Sequence, residues 1–228
     1  MKITLISDTH NKHNQITNDL IGGDLLLHSG DISSMGTEME IFEFCKWFDK
    51  LDNYKNKIFI AGNHDWGFQN NVDEIKKIVN HYDINYLQDN TKTIKIGKNK
   101  INIYGSPWQP EFYNWAFNLP RNGEELLNKW NQIPNNTDIL LTHGPAWGIL
   151  DDVQDRRGTH LGCELLSERI KFINPKIHIC GHIHSGHGYY YDGFTHYFNA
   201  SVLDEKYQYS NGIFHIDWDP ITNEIKFL

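Results

Sequence analysis

Five short polar motifs, each placed where an apolar run ends, constrain this chain more than any other feature. They are Asp8-Thr9-His10, Gly30-Asp31, Gly62-Asn63-His64-Asp65, Thr142-His143-Gly144 and Gly181-His182-Ile183-His184. The runs before them have the length and apolar continuity of buried strands. Each strand end therefore delivers Asp, Asn or His. Together they offer Asp8, Asp31 and Asn63 as oxygen donors and His10, His143, His182 and His184 as nitrogen donors.

Aspartate and histidine suit Zn, Mn or Fe. Asp8 and His10 are two residues apart, so in an extended segment they share a face and can reach one metal. Asp31 follows its strand and can bridge, because a carboxylate has two oxygens. Asn63 adds a neutral carbonyl oxygen. His182 and His184 again share a face and can divide between adjacent ions. Two ions about 3.5–4 Å apart activate a water and clamp phosphate oxygens for in-line displacement. A single Asp-x-His or Gly-Asp is common at strand ends. Five such ends in this order point to a phosphate-ester hydrolase.

The rest of the chain supports one large domain of 228 residues. Strand-like runs at 3–6, 25–27 and 58–61 alternate with helical patterns at 38–51 and 72–79, which favours parallel pairing. Residues 91–96 and 100–104 alternate around Gly97-Lys98-Asn99 as a hairpin. An aromatic-rich loop follows at 106–120. Strands at 139–141 and 177–180 flank a helix at about 161–173. The end reads as antiparallel strands at 188–191, 195–198, 212–216 and 224–227. The architecture expected is α/β, with a two-sheet core flanked by helices.

The formal net charge is −8, which argues against a dedicated nucleic-acid partner because such a surface is basic. It leaves room for a small phosphate ester, since bound ions reverse the sign locally. No apolar stretch approaches the roughly 20 residues of a membrane span. Cys45, Cys163 and Cys180 form no close pair, which suits a reducing compartment without disulfides. No signal peptide precedes the first strand-like run, so the cytoplasm is the expected location.

The motif series resembles the calcineurin-like metallophosphoesterases: Asp-x-His, Gly-Asp, Gly-Asn-His-Asp/Glu, a later His, and Gly-His-x-His. A closer likeness, to the brain-type metallophosphoesterase-domain proteins, lies in residues 104–110, 115–121, 142–145, 162–166 and Asn199-Ala200-Ser201. This resemblance implies a four-layer α/β/β/α sandwich of two mixed sheets and two divalent ions, Mn foremost with Fe or Zn as alternatives. It implies phosphodiesterase activity on small esters, cyclic nucleotides among them, by direct attack of a metal-bridging hydroxide. Carried over, Asp8, His10, Asp31 and His184 hold the first ion, and Asp31, Asn63, His143 and His182 the second. His64 contacts the phosphate and protonates the leaving oxygen, and Asp65 orients His64. A phosphomonoesterase or protein phosphatase is the alternative, and a non-catalytic scaffold on the same fold is a weaker one.

Specificity is less legible. Trp108, Phe112, Tyr113, Trp115 and Phe117 read either as a stacking wall or as a packed loop core. Trp147 follows a motif histidine and reads equally as cleft lining. Arg121, Arg156 and Arg157 are candidate phosphate contacts, with surface ion pairing as the plainer role. His13, His160 and His187 lie near motifs and read as supporting or solvated residues.

Overall fold

The computed structural model describes residues 1–153 and 159–228. Its strands are β1 Lys2–Ile6, β2 Leu25–His28, β3 Lys57–Phe59, β4 Asn85–Tyr86, β5 Asn90–Ile96, β6 Asn99–Ser106, β7 Gln109–Pro110, β8 Asn118–Leu119, β9 Ile139–Thr142, β10 Ile177–Cys180, β11 Gly188–Tyr191, β12 His196–Asn199, β13 Phe214–Trp218 and β14 Ile225–Phe227. Its α-helices are α1 Glu38–Asp49, α2 Gly67–Asn70, α3 Val72–Val79, α4 Glu124–Asn131 and α5 Glu164–Ile173. Among the described residues, no helix is long and apolar enough to cross a membrane.

Two six-stranded mixed sheets form, in the orders β14-β13-β1-β2-β3-β4 and β11-β12-β10-β9-β6-β5. The inner strands β1 to β4 run parallel, as do β6, β9, β10 and β12. Antiparallel strands flank each parallel core. Three apolar layers explain the stacking. Ile3, Leu5, Leu27 and Ile58 of the first sheet meet Ile103, Ile139, Leu141 and Ile179 of the second. The outer face of the first sheet packs on α1 to α3 through Leu26, Phe59, Phe44 and Phe48. That of the second packs on α4 and α5 through Tyr104, Leu140, Trp130 and Ile170. The result is the four-layer α/β/β/α sandwich.

Helix α1 starts where its sequence says it should. Thr37 accepts from the Glu40 N–H, and the Glu40 carboxylate accepts from the Thr37 N–H, a reciprocal capping box. The chain reverses between β5 and β6 at Gly97, whose φ of 61° costs nothing without a Cβ.

Three expectations change. Residues 196–199 pair antiparallel with β11 but parallel with β10, and β13 returns to pair with β1. Helix α5 begins at Glu164, because Cys163 caps it by accepting from the Leu166 N–H. Helix α4 was not expected, although Leu126 and Trp130 are buried four residues apart on one face, as Ile75 and Val79 are in α3.

Candidate metal centre

The strand order brings the five motifs to one end of the sandwich. The segment after β1 runs beside the segment after β2, with Asp8 N–H on the Gly30 carbonyl (3.0 Å) and His10 N–H on that of Asp31 (3.0 Å). The second sheet presents its ends against them. The His182 N–H donates to both Asp8 oxygens at 3.1 Å, and the Ser201 hydroxyl donates to Asp8 Oδ2 at 2.7 Å. Close approach dictates the motif glycines. A Cβ on Gly62 would collide with the Asp31 carboxylate and the His143 ring, and one on Gly181 with Asp8.

Asp8, His10, Asp31 and His182 all have positive φ, at 54°, 39°, 53° and 67°. Each such non-glycine residue costs about 1 kcal/mol or more. Strain gathered on four polar residues at one end is strain at a site.

Donor atoms of Asp8, His10 and His184 lie within 4.8 Å of one another, as do those of Asp31, His143 and His182, and those of His10, Asp31 and His64. Asp31 joins the groups. Its Oδ1 accepts from the His64 backbone N–H at 2.8 Å. Its Oδ2 is left facing His10 Nε2 at 3.5 Å and His143 Nε2 at 3.4 Å. Asn63 Oδ1 lies 2.8 Å from His143 Nε2.

The histidines are oriented alike. Nδ1 of His10, His143 and His184 donates to the carbonyls of Ser33 (3.2 Å), Ser29 (2.9 Å) and Asp204 (2.9 Å). Each Nε2 is then a lone pair aimed at carboxylate or amide oxygens. His10 Nε2 is buried with no hydrogen-bond partner. Acceptors facing acceptors are unfavourable unless a cation sits among them, so this donor set fits divalent ions held through Nε2.

Protons fill that role in part. Burial opposes the charge, yet the Asp31 carboxylate raises His143 to about 9. Against the same burial, the Asp8 carboxylate raises His184 to about 9. Burial would raise Asp8, but His184 and the neighbouring histidines hold it well below the usual carboxylate range. Burial lowers His10 to about 4 and His182 to about 3.

His64 belongs to the rim. Its Nδ1 donates to the Ser34 carbonyl at 2.8 Å, and its ring stacks on Trp115 at 4.1 Å. Here the expectation for Asp65 is corrected. Its carboxylate accepts from the backbone N–H groups of Gly62 (2.7 Å), Ser33 (3.0 Å) and Ile32 (3.2 Å), and does not orient the His64 ring. Asp65 instead ties the Asp31 loop to the Asn63 loop. Burial and the Asp31 charge raise it to about 7.

The aromatic loop divides. Trp108 and Phe117 pack in the core, with Trp108 Nε1 on Asp89, whereas Phe112 and Tyr113 are exposed and Trp115 lies over His64. Arg121 is committed to Glu164 at 2.7 Å and to the carbonyls of Gly162 and Leu161. Trp147 rests on His160, itself bonded to Asp151 at 2.7 Å. Buried His13 packs against Phe44 and Trp47, and His187 stacks on Phe214. Arg156 and Arg157 lie outside the described residues. Two residues escaped sequence reading. Tyr207 packs on His10 (4.9 Å) and His184 (5.3 Å), and nothing in its local sequence signals this. The Ser201 contact with Asp8 was signalled only by the Asn199-Ala200-Ser201 stretch.

The profile of the calcineurin-like phosphoesterases matches residues 1–186. Metallophosphoesterase domain-containing protein 1 of Homo sapiens is 40% identical over 238 residues, covering 95% of this chain and 70% of the relative. Among solved structures, a protein of Thermus thermophilus superimposes with a TM-score of 0.66 at 13% identity, covering 99% of this chain and 97% of the other. The phosphopantetheinyl hydrolase of Mycobacterium tuberculosis does so with a TM-score of 0.59 at 14% identity, covering 90% of each chain. At those identities the two structures speak for the fold alone.

Proposed function

The chain belongs to the calcineurin-like phosphoesterase family, and on that premise we propose that it hydrolyses small phosphodiesters, nucleotide-like ones among them, with two divalent ions. One observation carries the reading: Asp31 Oδ2 faces the Nε2 atoms of His10 and His143 at once. Asp8, His10 and His184 would hold one ion and Asn63, His143 and His182 the other, with Asp31 shared. When bound, the pair supplies an activated water and Lewis-acidic contacts to the phosphoryl oxygens; manganese is the ion we expect.

His64 is assigned to the leaving oxygen. Its Nδ1 is committed to Ser34, so a proton held at Nε2 is the one it can give to the departing alkoxide. The Trp115 ring covers one face of the imidazole and excludes water there. Neither a Ser nor a Cys nucleophile is required, and the three thiols are buried and unpaired, in keeping with a reducing, cytoplasmic setting.

Charge favours a diester. Glu111 and Glu205 line the cavity beside His182, and the arginine among its described lining residues, Arg121, is already paired with Glu164. A diester with one negative charge suits such walls better than a doubly charged monoester. The test is turnover by manganese-loaded protein of bis(p-nitrophenyl) phosphate, p-nitrophenyl phosphate, and 2′,3′- and 3′,5′-cyclic nucleotides. Hydrolysis of the diesters above the monoester is expected. Turnover of the monoester alone would overturn the reading in favour of a phosphomonoesterase.

A further inference from the structure

The two donor sets are covered unequally. His182, of the second set, is half-buried and lines a cavity of about 350 Å³. Asp8, His10 and His184, of the first set, are all buried. What lies over the two histidines is Tyr207. Its ring centroid is 4.9 Å from that of His10 and 5.3 Å from that of His184, crossing both at 72°. Tyr207 is itself 43% exposed. A ring that touches two buried donors and is half in solvent is a cover.

Tyr207 is held there against its backbone preference. Its φ is 56°, a conformation in which a Cβ is crowded and glycine or asparagine is the easy residue. The loop that holds it is tight. The Asp204 N–H donates to the Gln208 carbonyl at 2.9 Å, and the Tyr207 N–H to the Asp204 carbonyl at 2.8 Å. Asp204 Oδ1 accepts from the N–H groups of Lys206 (2.9 Å) and Gln208 (2.8 Å). The same loop is tied to both motifs that supply the first set. The Asp204 carbonyl fixes His184 Nδ1 at 2.9 Å, Glu205 Oε1 accepts from the Ser185 N–H at 3.0 Å, and the Lys12 ammonium donates to the Tyr207 carbonyl. Asp8 and His10 follow β1 of one sheet and His184 follows β10 of the other. Residues 204–208 therefore bolt together donors that come from two sheets. Strain kept on a bulky residue, where glycine would relieve it, points to a use for the side chain.

We propose that Tyr207 is a positioning residue for the first ion: its ring clasps His10 and His184 and closes their side to water, so the first ion is retained while the second exchanges. The proposal rests on the two-ion reading above, and its readout is ion release rather than turnover. The contacts are made by the ring, so phenylalanine serves as well as tyrosine.

The experiment mixes protein loaded with two Mn²⁺ with an excess of a chelating dye and follows release by absorbance. Wild-type protein should show two phases of equal amplitude, one about 10–100-fold slower than the other, the scale carried by partners behind a ligand. Tyr207→Gly keeps every backbone tether and relieves the strain. It should speed the slow phase by that factor, spare the fast phase, and leave the Tm of ion-free protein within a few degrees of wild type. Tyr207→Asn also tolerates positive φ; it should behave alike and replaces the glycine variant if that one does not fold. Tyr207→Phe should keep the slow phase, and His182→Gly should speed the fast phase alone. A single release rate in wild-type protein holding two ions overturns the inference and leaves the two-ion reading standing. So does a slow phase unchanged in Tyr207→Gly and Tyr207→Asn, or one lost in Tyr207→Phe. Uptake of fewer than two ions overturns both. Unequal release without diester turnover keeps the inference and overturns only the enzymatic reading.

Discussion

The middle of the sandwich and its motif-bearing end use the same residue type in opposite ways. In the strands, His28 and His178 are buried, each ring bonded to a threonine hydroxyl, at 3.0 Å to Thr9 and 2.8 Å to Thr142. Burial lowers both to about 3, so they are neutral and satisfied. At the strand ends, His10, His143 and His184 are also buried, but their Nε2 atoms face the carboxylate oxygens of Asp31 or Asp8 rather than a hydroxyl. Burial alone does not make a histidine a ligand. The Nδ1 contact to a backbone carbonyl, and what remains in front of Nε2, separate the two kinds. The apolar middle therefore carries stability, while the end carries strain and unmatched acceptors that an ion would resolve.

The largest expected effect tests that division directly. Asp31→Asn keeps the shape but removes the shared charge. Turnover should fall on the order of 10⁴-fold, as when one member of a catalytic unit is lost, and bound metal should drop. Leu27→Ala is its counterpart. Leu27 is fully buried between the sheets, so the variant should lose about 2–5 kcal/mol of stability while binding the same number of ions. Metal analysis and denaturant unfolding on both proteins check this; normal metal content and activity in Asp31→Asn would refute the two-ion assignment.

His64→Ala sharpens the line between holding ions and moving protons. Both ions should remain, and the rate should fall about 10²–10⁴-fold for poor leaving groups. A nitrophenolate leaves without a proton, so its loss should be smaller. Equal losses across leaving groups would reduce His64 to electrostatic phosphate binding.

His182→Gly should weaken one ion and spare the other. Even partners behind a ligand are worth about 10–100-fold in metal affinity, and a ligand itself no less. Activity should fall at low Mn²⁺ and partly return at high Mn²⁺ by mass action. Two tightly held ions and wild-type rates in this variant would remove His182 from the ligand set.

The same contrast explains what was legible in sequence. Strands read well because Ile, Leu and Phe runs are local, and motif residues read well because each follows such a run. The mixed sheets did not read fully. Pairing of β12 with β10 and return of β13 to β1 are long-range choices that no local pattern records. Orientation at the site was hidden for a different reason: the carbonyls of Ser29, Ser33, Ser34 and Asp204 that fix the rings are backbone atoms. The role expected of Asp65 failed on this point, since a carbonyl holds His64. Helix α4 went unread although its spacing was legible: Leu126 and Trp130 are buried four residues apart, as Ile75 and Val79 are in α3.

The smallest effect, and the one most specific to the site, is in pH. In the ion-free protein His143 and His184 sit near 9, above the ordinary histidine value of 6.5. Groups raised on folding contribute stability that is complete below the unfolded value and disappears as pH climbs through the folded one. The ion-free protein should therefore lose a few degrees of Tm between about pH 6.5 and 9. Asp8 is lowered and His10 and His182 are lowered, so their contributions change only below that window. Asp65, raised to about 7, loses its share as pH rises through about 7, so it adds to the loss only at the lower edge of the window. The ion-loaded protein should move the other way, because the ions compete with the two histidine protons and bind more tightly as these leave. The Tm gap between loaded and ion-free protein should widen from pH 6.5 to 9. Leu27→Ala should lower both curves together and leave the gap unchanged, since its effect lies in the apolar middle. Parallel pH curves for loaded and ion-free wild-type protein would show that His143 and His184 do not exchange protons for metal.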